Sequence, residues 1–351
     1  MPLWHGNEHM IIEHPTDRDL LEAAKLLKNG FLVAFPTETV YGLGADADNS
    51  IAVKRIFDVK GRPTDHPLIV HVADIESVDH FAKNVPDFAK KLMALFWPGP
   101  LTLILQKREN VANAASGHHS TIGLRIPSHP LALELLKRSK QLGVFGVAAP
   151  SANRFGRVSP TQAGHVGDEF DHDLLILNGG SCQIGIESTI IDCSRDLPVL
   201  LRPGQLSVQE LELAIVAPIY QQLIDHEPSE NPPPTLSSSA PKASGRLLAH
   251  YAPKAKVSLW SAQELRQQVD SYRPKGHELI GIWSQNPFPS TPEQYLFEAM
   301  PSNAALCAHE LFSTLRNFDK AQVDQIWIEH PPLSPEWQGI CDRLKRAASA
   351  Q

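Results

Sequence analysis

Two rhythms of apolar and polar positions alternate along the chain. Short continuous apolar runs, the pattern of strands buried on both faces, stand between stretches whose apolar residues recur every three or four positions, the pattern of helices with one buried side. The run Phe31-Leu32-Val33-Ala34-Phe35 stops at Pro36 and predicts a buried strand. Asn49 or Ser50 then caps a helix with Ile51, Val53, Ile56 and Phe57 on its apolar side. Leu68-Ile69-Val70-His71-Val72 is the next strand. Pro86 opens a helix through Phe88, Leu92, Leu95 and Phe96, which Trp97-Pro98-Gly99-Pro100 ends. Strands follow over 101–105, 121–126 and 144–148, with a helix over 131–136 between the last two. Further strands are expected over 174–177, 189–192 and 199–201. This order predicts an α/β fold with a mixed sheet.

The rhythm breaks over 226–244, where Pro228, Pro232, Pro233, Pro234 and Pro241 stand among serines with almost no apolar residue. Such a segment buries too little surface to offset its ordering entropy, and its prolines favour extended geometry. It reads as a linker. Beyond it the same theme returns on a smaller scale. Strands are expected over 257–260, 279–283 and 326–328, with a helix from Ser261, one capped by Ser302, and a basic helix from Ser334. A small three-layer α/β domain with a parallel sheet fits this pattern, and no phosphate-binding glycine fingerprint lies in it. The chain thus divides into 15–217, a linker over 218–253 and a second domain over 254–351.

A length of 351 residues suits about two domains, and a content of 42% apolar residues gives each a core. The net charge of −7 lacks the basic balance of a nucleic-acid binder, although a local basic groove stays open. No apolar run approaches the length of a membrane span, and the first ten residues carry no apolar segment of a secretory signal. Cys182, Cys193, Cys307 and Cys341 form no C-x-x-C pair and are expected as small core thiols in a reducing compartment. The histidines are scattered with no HExxH spacing, so no structural zinc is expected.

Polar groups cluster at the ends of the expected strands, where open α/β sheets bind ligands. Pro36-Thr37-Glu38-Thr39-Val40-Tyr41-Gly42-Leu43-Gly44 offers hydroxyls, a carboxylate and a phenol, then glycines that let backbone approach a ligand; an ordinary polar turn explains the same residues. In Lys60-Gly61-Arg62-Pro63-Thr64-Asp65-His66 two cations flank a glycine, which suits a polyphosphate or a solvated basic turn. No G-x-x-x-x-G-K-[ST] exists, so any ATP cradle is of another kind. Ser151 and Asn153 follow a strand and fit either a ligand or a local turn. Arg125 lies in an apolar strand and needs a partner, either a carboxylate ligand or an internal Asp or Glu. Gly185-Ile186-Glu187-Ser188-Thr189 and Leu201-Arg202-Pro203-Gly204 repeat the theme, and His250-Tyr251-Ala252-Pro253 ends the linker with groups odd for a plain tether.

Taken together, FPTETVYGLG, KGRPTDHPL, the Ser151/Asn153 pair, STIIDC, LLRPG and HYAPKA resemble, in order and spacing, the YrdC-like threonylcarbamoyl-AMP synthase family in its long two-domain form. His66 departs from the Asn or Lys frequent in that family, with a polar side chain kept. The resemblance implies a YrdC-like twisted mixed sheet with helices, followed by a smaller Rossmann-like three-layer α/β domain. It implies condensation of L-threonine, bicarbonate and ATP to threonylcarbamoyl-AMP and pyrophosphate, with Mg²⁺ accompanying ATP, in the cytoplasm and for tRNA modification. Proteins that take up the product, and tRNA itself, are the further partners it suggests; a membrane is not. Thr39, His71, Arg125, Ala149 and Ser188 would hold threonine. Lys60, Arg62, His66, Thr121, Ser151, Asn153, Ser159, Arg202, His250 and Tyr251 would hold ATP, with Lys60 and Arg62 stabilising phosphate charge. No general base and no protein ligand to the metal is assigned. The linker would close over the nucleotide as a lid, with Tyr251 touching ATP.

Two other classes stay open at this point. A double-stranded RNA or tRNA-binding module would show salt-dependent binding without ATP turnover. A carbamoyl-transfer domain, as in hydrogenase-maturation proteins, would carry an acylphosphatase-like domain and cysteine-rich fingers, and this chain has neither.

Overall fold

The computed structural model of the chain describes residues 10–170, 174–221, 250–288 and 293–350. The expected Pro- and Ser-rich linker and lid lie mostly outside the described residues.

The first part is a large mixed sheet with helices. Its strands are β1 (Met10–Ile12), β2 (Val33–Phe35), β3 (Gly42–Asp46), β4 (Ile69–His71), β5 (Leu101–Gln106), β6 (Thr121–Arg125), β7 (Val147–Ala148), β8 (Leu175–Leu177), β9 (Thr189–Asp192), β10 (Val199–Arg202) and β11 (Tyr220–Gln221). They run in the order β1-β8-β2-β3-β7-β4-β6-β5-β9-β10-β11. Parallel pairs such as β4 with β6 and β5 with β9 alternate with antiparallel ones such as β5 with β6 and β9 with β10. Helices α1 (Asp17–Lys28), α2 (Ser50–Lys60), α3 (Val78–Phe81), α4 (Asp87–Phe96), α5 (Pro130–Gln141), α6 (Ala163–Gly167) and α7 (Val208–Ile215) accompany it. Asn49 caps α2, its side chain accepting from the amides of Ile51 and Ala52 at 3.1 Å, and α2 ends on Gly61 in the left-handed region at φ +63°. Lys60 therefore leaves the last turn of a helix, and Arg62 follows just past its cap.

Of the glycines of the first polar cluster, Gly42 lines a cleft and Gly44 serves packing. Gly42 and Gly44 belong to β3, which pairs antiparallel with β2. A Cβ on Gly44 would sit 2.8 Å from both Phe35 and Val147 side chains, so only glycine lets these layers meet.

The second part has four parallel strands in the order β12-β15-β13-β14: β12 (Lys256–Trp260), β13 (Ile280–Ser284), β14 (Tyr295–Ala299) and β15 (Gln325–Glu329). Helices α8 (Ala262–Ser271), α9 (Ala304–Lys320) and α10 (Gln338–Ala348) complete it. Leu265, Val269, Ile282 and Trp327 fill the core on the α8 face, and Trp283, Leu311, Phe312, Ile328 and Leu344 the core facing α9 and α10, which makes three layers. Asn303, not Ser302, caps α9, its side chain accepting from the Leu306 amide at 3.1 Å. The last helix is read from sequence as basic and turns out amphipathic, with Arg343 and Arg346 buried.

The two parts share a core. Val40, Val158 and Ile186 of the first are buried among Tyr251, Leu311 and Phe312. Arg316 on α9 pairs with Glu169 at 2.9 Å, and Gly185, at φ +84°, would place a Cβ 2.5 Å from α9 backbone. All four cysteines are buried and free. No helix among the described residues is long and apolar enough to cross a membrane.

Candidate functional site

The ends of β2, β4, β6, β7, β9 and β10 converge on one cleft. Thr37, Thr39, Arg62, His71, Arg125, Ala149, Ser151, Glu187, Ser188, Arg202, His250 and Tyr251 are among its lining residues, and it holds about 50 Å³ of free space.

On one side the groups belong entirely to the first domain. Arg125, at the end of β6, donates from Nη2 to Glu38 Oε1 at 2.5 Å, from Nη1 to Thr39 Oγ1 at 2.9 Å and from Nε to the Gly99 carbonyl at 3.1 Å. The alternatives left open by the sequence resolve here: the buried cation has an internal carboxylate, so no ligand is needed to make it tolerable. The other oxygen of Glu38 accepts from the Ser128 amide at 3.0 Å. Thr37 and Thr39 hydroxyls lie 2.8 Å apart, as do those of Thr102 and Ser188. His71, whose register partner on β6 is Arg125, is held neutral: burial and then the Arg125 charge push its pKa down to about 3. Its Nδ1 has no partner among the described residues.

The other side is cationic and aromatic. Arg202 donates to the Ser188 carbonyl from Nε at 3.1 Å and from Nη2 at 2.9 Å, and to the Ser188 hydroxyl at 3.2 Å. Arg62 donates to the Pro67 carbonyl at 3.0 Å and lies over the Phe155 ring at 5.8 Å; burial brings its pKa down to about 10. An aromatic ladder runs from His66 to Phe155 (5.7 Å), His250 (6.2 Å), Tyr251 (4.1 Å) and Phe312 on α9 (5.3 Å). The Tyr251 hydroxyl and His250 Nδ1 are buried without a partner among the described residues.

Lys60 stands behind this wall and not in it. Its ammonium donates to the Ser151 carbonyl at 2.6 Å and to the Asn153 carbonyl, so it braces the turn that carries both residues. Burial, then the Arg62 charge, lowers its pKa well below the ordinary value. Asn153 donates to the Arg154 carbonyl at 2.8 Å and the Arg157 carbonyl at 2.9 Å and does not line the cleft. Ser159 donates to Glu187 Oε1 at 2.5 Å. His66 lines the ladder outside the cleft, and Thr121 begins β6, four residues before Arg125 in the same strand.

A family model described as telomere recombination, of the Sua5, YciO and YrdC proteins, matches residues 25–204. A second, described as the threonylcarbamoyl-AMP synthase C-terminal domain, matches residues 206–349. The chain is 37% identical over 347 residues to the threonylcarbamoyl-AMP synthase of Bacillus subtilis, covering 95% of this chain and 94% of that one. The chain belongs to the threonylcarbamoyl-AMP synthase family, in its two-domain form. It is also 37% identical to the family member of Pyrococcus abyssi, over 93% of both chains. The crystal structure of P. abyssi Sua5 complexed with L-threonine superposes with a TM-score of 0.85 at 34% identity, over 97% of this chain and 98% of that one.

Glu38, Phe155, Glu187 and Arg343 belong to the site's architecture and received no role from sequence. Glu187 lines the cleft beside Ser188, and Arg343 of α10 closes on it at 3.0 Å. Burial pushes the Glu187 carboxyl up, but Arg343, Arg202 and the Ser159 hydroxyl outweigh it and hold it below the usual carboxylate range. The only advance signal for these residues was nearness to a motif, as with Glu38 between Thr37 and Thr39.

Proposed function

We infer that this chain condenses L-threonine, bicarbonate and ATP into threonylcarbamoyl-AMP and pyrophosphate. The observation that carries the reading is a single cleft in which a hydroxyl- and guanidinium-lined side faces a cationic, aromatic side. Threonine's amine bonds to the carbon of bicarbonate as a C–O bond breaks and water leaves, which gives a carbamate. Its oxygen forms a bond to the α-phosphorus as the bond to pyrophosphate breaks, and the electron pair leaves with pyrophosphate. The protein's part is to position three reactants and stabilise charge.

Arg125 takes the threonine carboxylate. Three of its N–H groups are committed within the protein, and a guanidinium carries five, so donors remain for the substrate. Glu38 fixes the fork in place. Thr39, neutral His71 and Ser188 surround the substrate hydroxyl, with Ala149 against its methyl. Arg62 and Arg202 meet the phosphates, while Lys60 adds charge from behind and holds the Ser151–Asn153 turn against the nucleotide. Ser151 meets its polar edge, with Asn153 and Ser159 behind the cleft wall and Thr121 and His66 at its margin. His250 and Tyr251 close over it. Their rings pack over the cleft between Phe155 and Phe312. Closed in this way they exclude water from a mixed anhydride that water destroys.

Mg²⁺ enters this reading with ATP. Among the described residues no cluster of three or more His, Cys, Asp or Glu side chains could hold a metal ion. Glu187, a carboxylate in the cleft, is already taken by Ser159 and Arg343. The donor set does not fit a protein-held ion, and the ion would be held by the triphosphate instead. The cytoplasm, where ATP and threonine are abundant and thiols stay reduced, is the compartment that suits four free cysteines. Proteins of tRNA modification would take up the labile product, with tRNA as the final acceptor. Incubation with ATP, threonine and bicarbonate, followed by mass spectrometry for threonylcarbamoyl-AMP, tests the reading. A folded chain that yields none refutes it.

A further inference from the structure

Arg343 lies on α10 of the second domain and is 0% exposed. Its guanidinium grips two loops of the first domain at once. Nε donates to Glu187 Oε2 at 3.0 Å and Nη2 to the Glu187 carbonyl at 3.2 Å. Nη1 donates to the Pro203 carbonyl at 2.5 Å and to Asp342 at 3.1 Å. Glu187 immediately precedes Ser188 at the start of β9, and Pro203 immediately follows Arg202 at the end of β10. These strands are antiparallel neighbours, so one planar fork ties together the ends that carry Ser188 and Arg202. The same guanidinium lies over the Tyr251 ring at 5.6 Å. The helix backbone also presses on this loop, since a Cβ on Gly339 would come within 2.7 Å of the Gly204 carbonyl oxygen.

A surface helix has no need of this arrangement. Burying an arginine is costly unless its donors are satisfied, and here they are satisfied mainly by the loops that bear the site. Glu187 is compensated from the second domain, so without Arg343 a carboxylate would stand exposed to the phosphates. We propose that Arg343 is a positioning residue for the adenylation step: it sets the spacing of Ser188 and Arg202 and seats the Tyr251 ring, so that the second domain completes the nucleotide side of the first domain's cleft. The proposal rests on the function inferred above.

The test uses the full chain with Arg343→Lys, Glu187→Gln, and the charge-balanced pair Arg343→Met with Glu187→Gln, which removes the buried uncompensated carboxylate that could keep Arg343→Met alone from folding. Melting temperature, KM for ATP and for threonine, and the Kd of ATP by equilibrium titration are read for each. The pair should melt below Glu187→Gln, since the Pro203 and Glu187 carbonyls lose their donor, and yet stay folded with a KM and Kd for ATP raised about tenfold or more, since charge-assisted contacts of this kind are strong. KM for threonine should rise less than KM for ATP, because Arg125, Thr39 and His71 do not touch Arg343 and only Ser188 of the threonine pocket lies on a loop that it holds. Arg343→Lys should remain impaired for ATP, as an ammonium keeps the charge but cannot span both loops. A pair that binds ATP as Glu187→Gln does, or a lysine variant that restores full affinity, overturns the proposal, as does an equal rise for both substrates. If the unaltered chain binds ATP but makes no threonylcarbamoyl-AMP, the functional reading fails, and the Kd values still decide whether Arg343 positions the nucleotide side.

Discussion

On the amino-acid side of the cleft, Arg125 is closed by Glu38 at 2.5 Å, and the hydroxyls of Thr37 and Thr39, and of Thr102 and Ser188, pair with one another. Every one of these groups comes from the first domain. On the nucleotide side, Glu187 is closed by Arg343, and Tyr251 at the end of the linker packs on Phe312; Arg343 and Phe312 belong to the second domain. Apart from Ser188, whose loop Arg343 also holds, the first side is built from contacts within the first domain. The second is completed by α9 and α10 packing on the first domain. On the function proposed above, selectivity belongs to a pocket prebuilt in the first domain and nucleotide capture to the interface between the two.

The strongest way to break this contrast is to challenge the prebuilt pocket with the wrong amino acid. Valine has threonine's shape without the hydroxyl. Bound beside Thr39, His71 and Ser188 it would leave buried polar groups unpaired, and sites of that kind reject such analogues by about a thousandfold or more in kcat/KM. Serine, which keeps the hydroxyl and lacks the methyl, should fall between. Product quantitation with the amino acids in competition measures this. Comparable turnover of valine and threonine would mean that the hydroxyl cluster is not a specificity pocket.

Next in size is the brace behind the nucleotide side. In Lys60→Met the Asn153 carbonyl loses its donor while the Ser151 carbonyl keeps only the Asn153 amide at 3.0 Å, and an unsatisfied buried group costs about 1–3 kcal/mol. Pyrophosphate release should drop at least about tenfold, with a lowered melting temperature. Arg62→Ala should lose about tenfold or more in rate through the missing phosphate contact. If both variants fold and run at near-normal rates, the cationic side has been assigned to the wrong substrate.

Much of the prebuilt side was legible in sequence, for a physical reason. Thr39, His71, Arg125 and Ser188 sit at ends of short apolar runs, and a strand's end is fixed by the run that precedes it. Partners across the fold left no such mark. Glu38 and Arg125 are 87 positions apart, and nothing local says which carboxylate meets which cation. Arg343 was harder still. In a helix that also carries Arg346 and Lys345 it reads as part of a solvated basic face, and only the packing of α10 on Gly204 reveals it as buried. Lys60 was marked from sequence as a phosphate contact, but the turn of α2 that carries it aims its ammonium at backbone carbonyls.

Acidity should weaken both sides together and so tests what they share. His71 and His250 are each pushed down to about 3, in both cases chiefly by burial, and His165 to about 4 for the same reason. All three start from 6.5, so the native state binds fewer protons than the unfolded chain below that value. Their contribution to stability is complete above 6.5 and is lost as pH falls through the window toward the folded values. The limiting slope is about 1.4 kcal/mol per pH unit for each imidazole that stays neutral. Chemical unfolding at about pH 7 and about pH 5 should show this loss, and His165→Gln, outside the cleft, should make the slope shallower. Stability independent of pH over that range would mean that these imidazoles are solvated or charged in the fold.

The smallest effect is the most discriminating, because it separates the two jobs of one residue. The Tyr251 ring packs on Phe312 and under Arg343, while its hydroxyl is buried with no partner among the described residues. Burial pushes the phenol up to about 12, so it is a neutral hydrogen-bonding group at physiological pH. A buried hydroxyl without a partner is a cost of about 1–3 kcal/mol to the free protein, repaid only if a ligand meets it. Tyr251→Phe should therefore be at least as stable as the parent, since it removes an unsatisfied group and keeps the ring. Its KM for ATP should rise about three- to tenfold, the value of one neutral hydrogen bond, while KM for threonine stays put. Tyr251→Ala should lose about 3–5 kcal/mol of stability as well, through the deleted ring. Were the phenylalanine variant destabilised with its ATP affinity intact, the hydroxyl would be serving the fold, and the nucleotide side would not depend on this linker residue packed in the shared core.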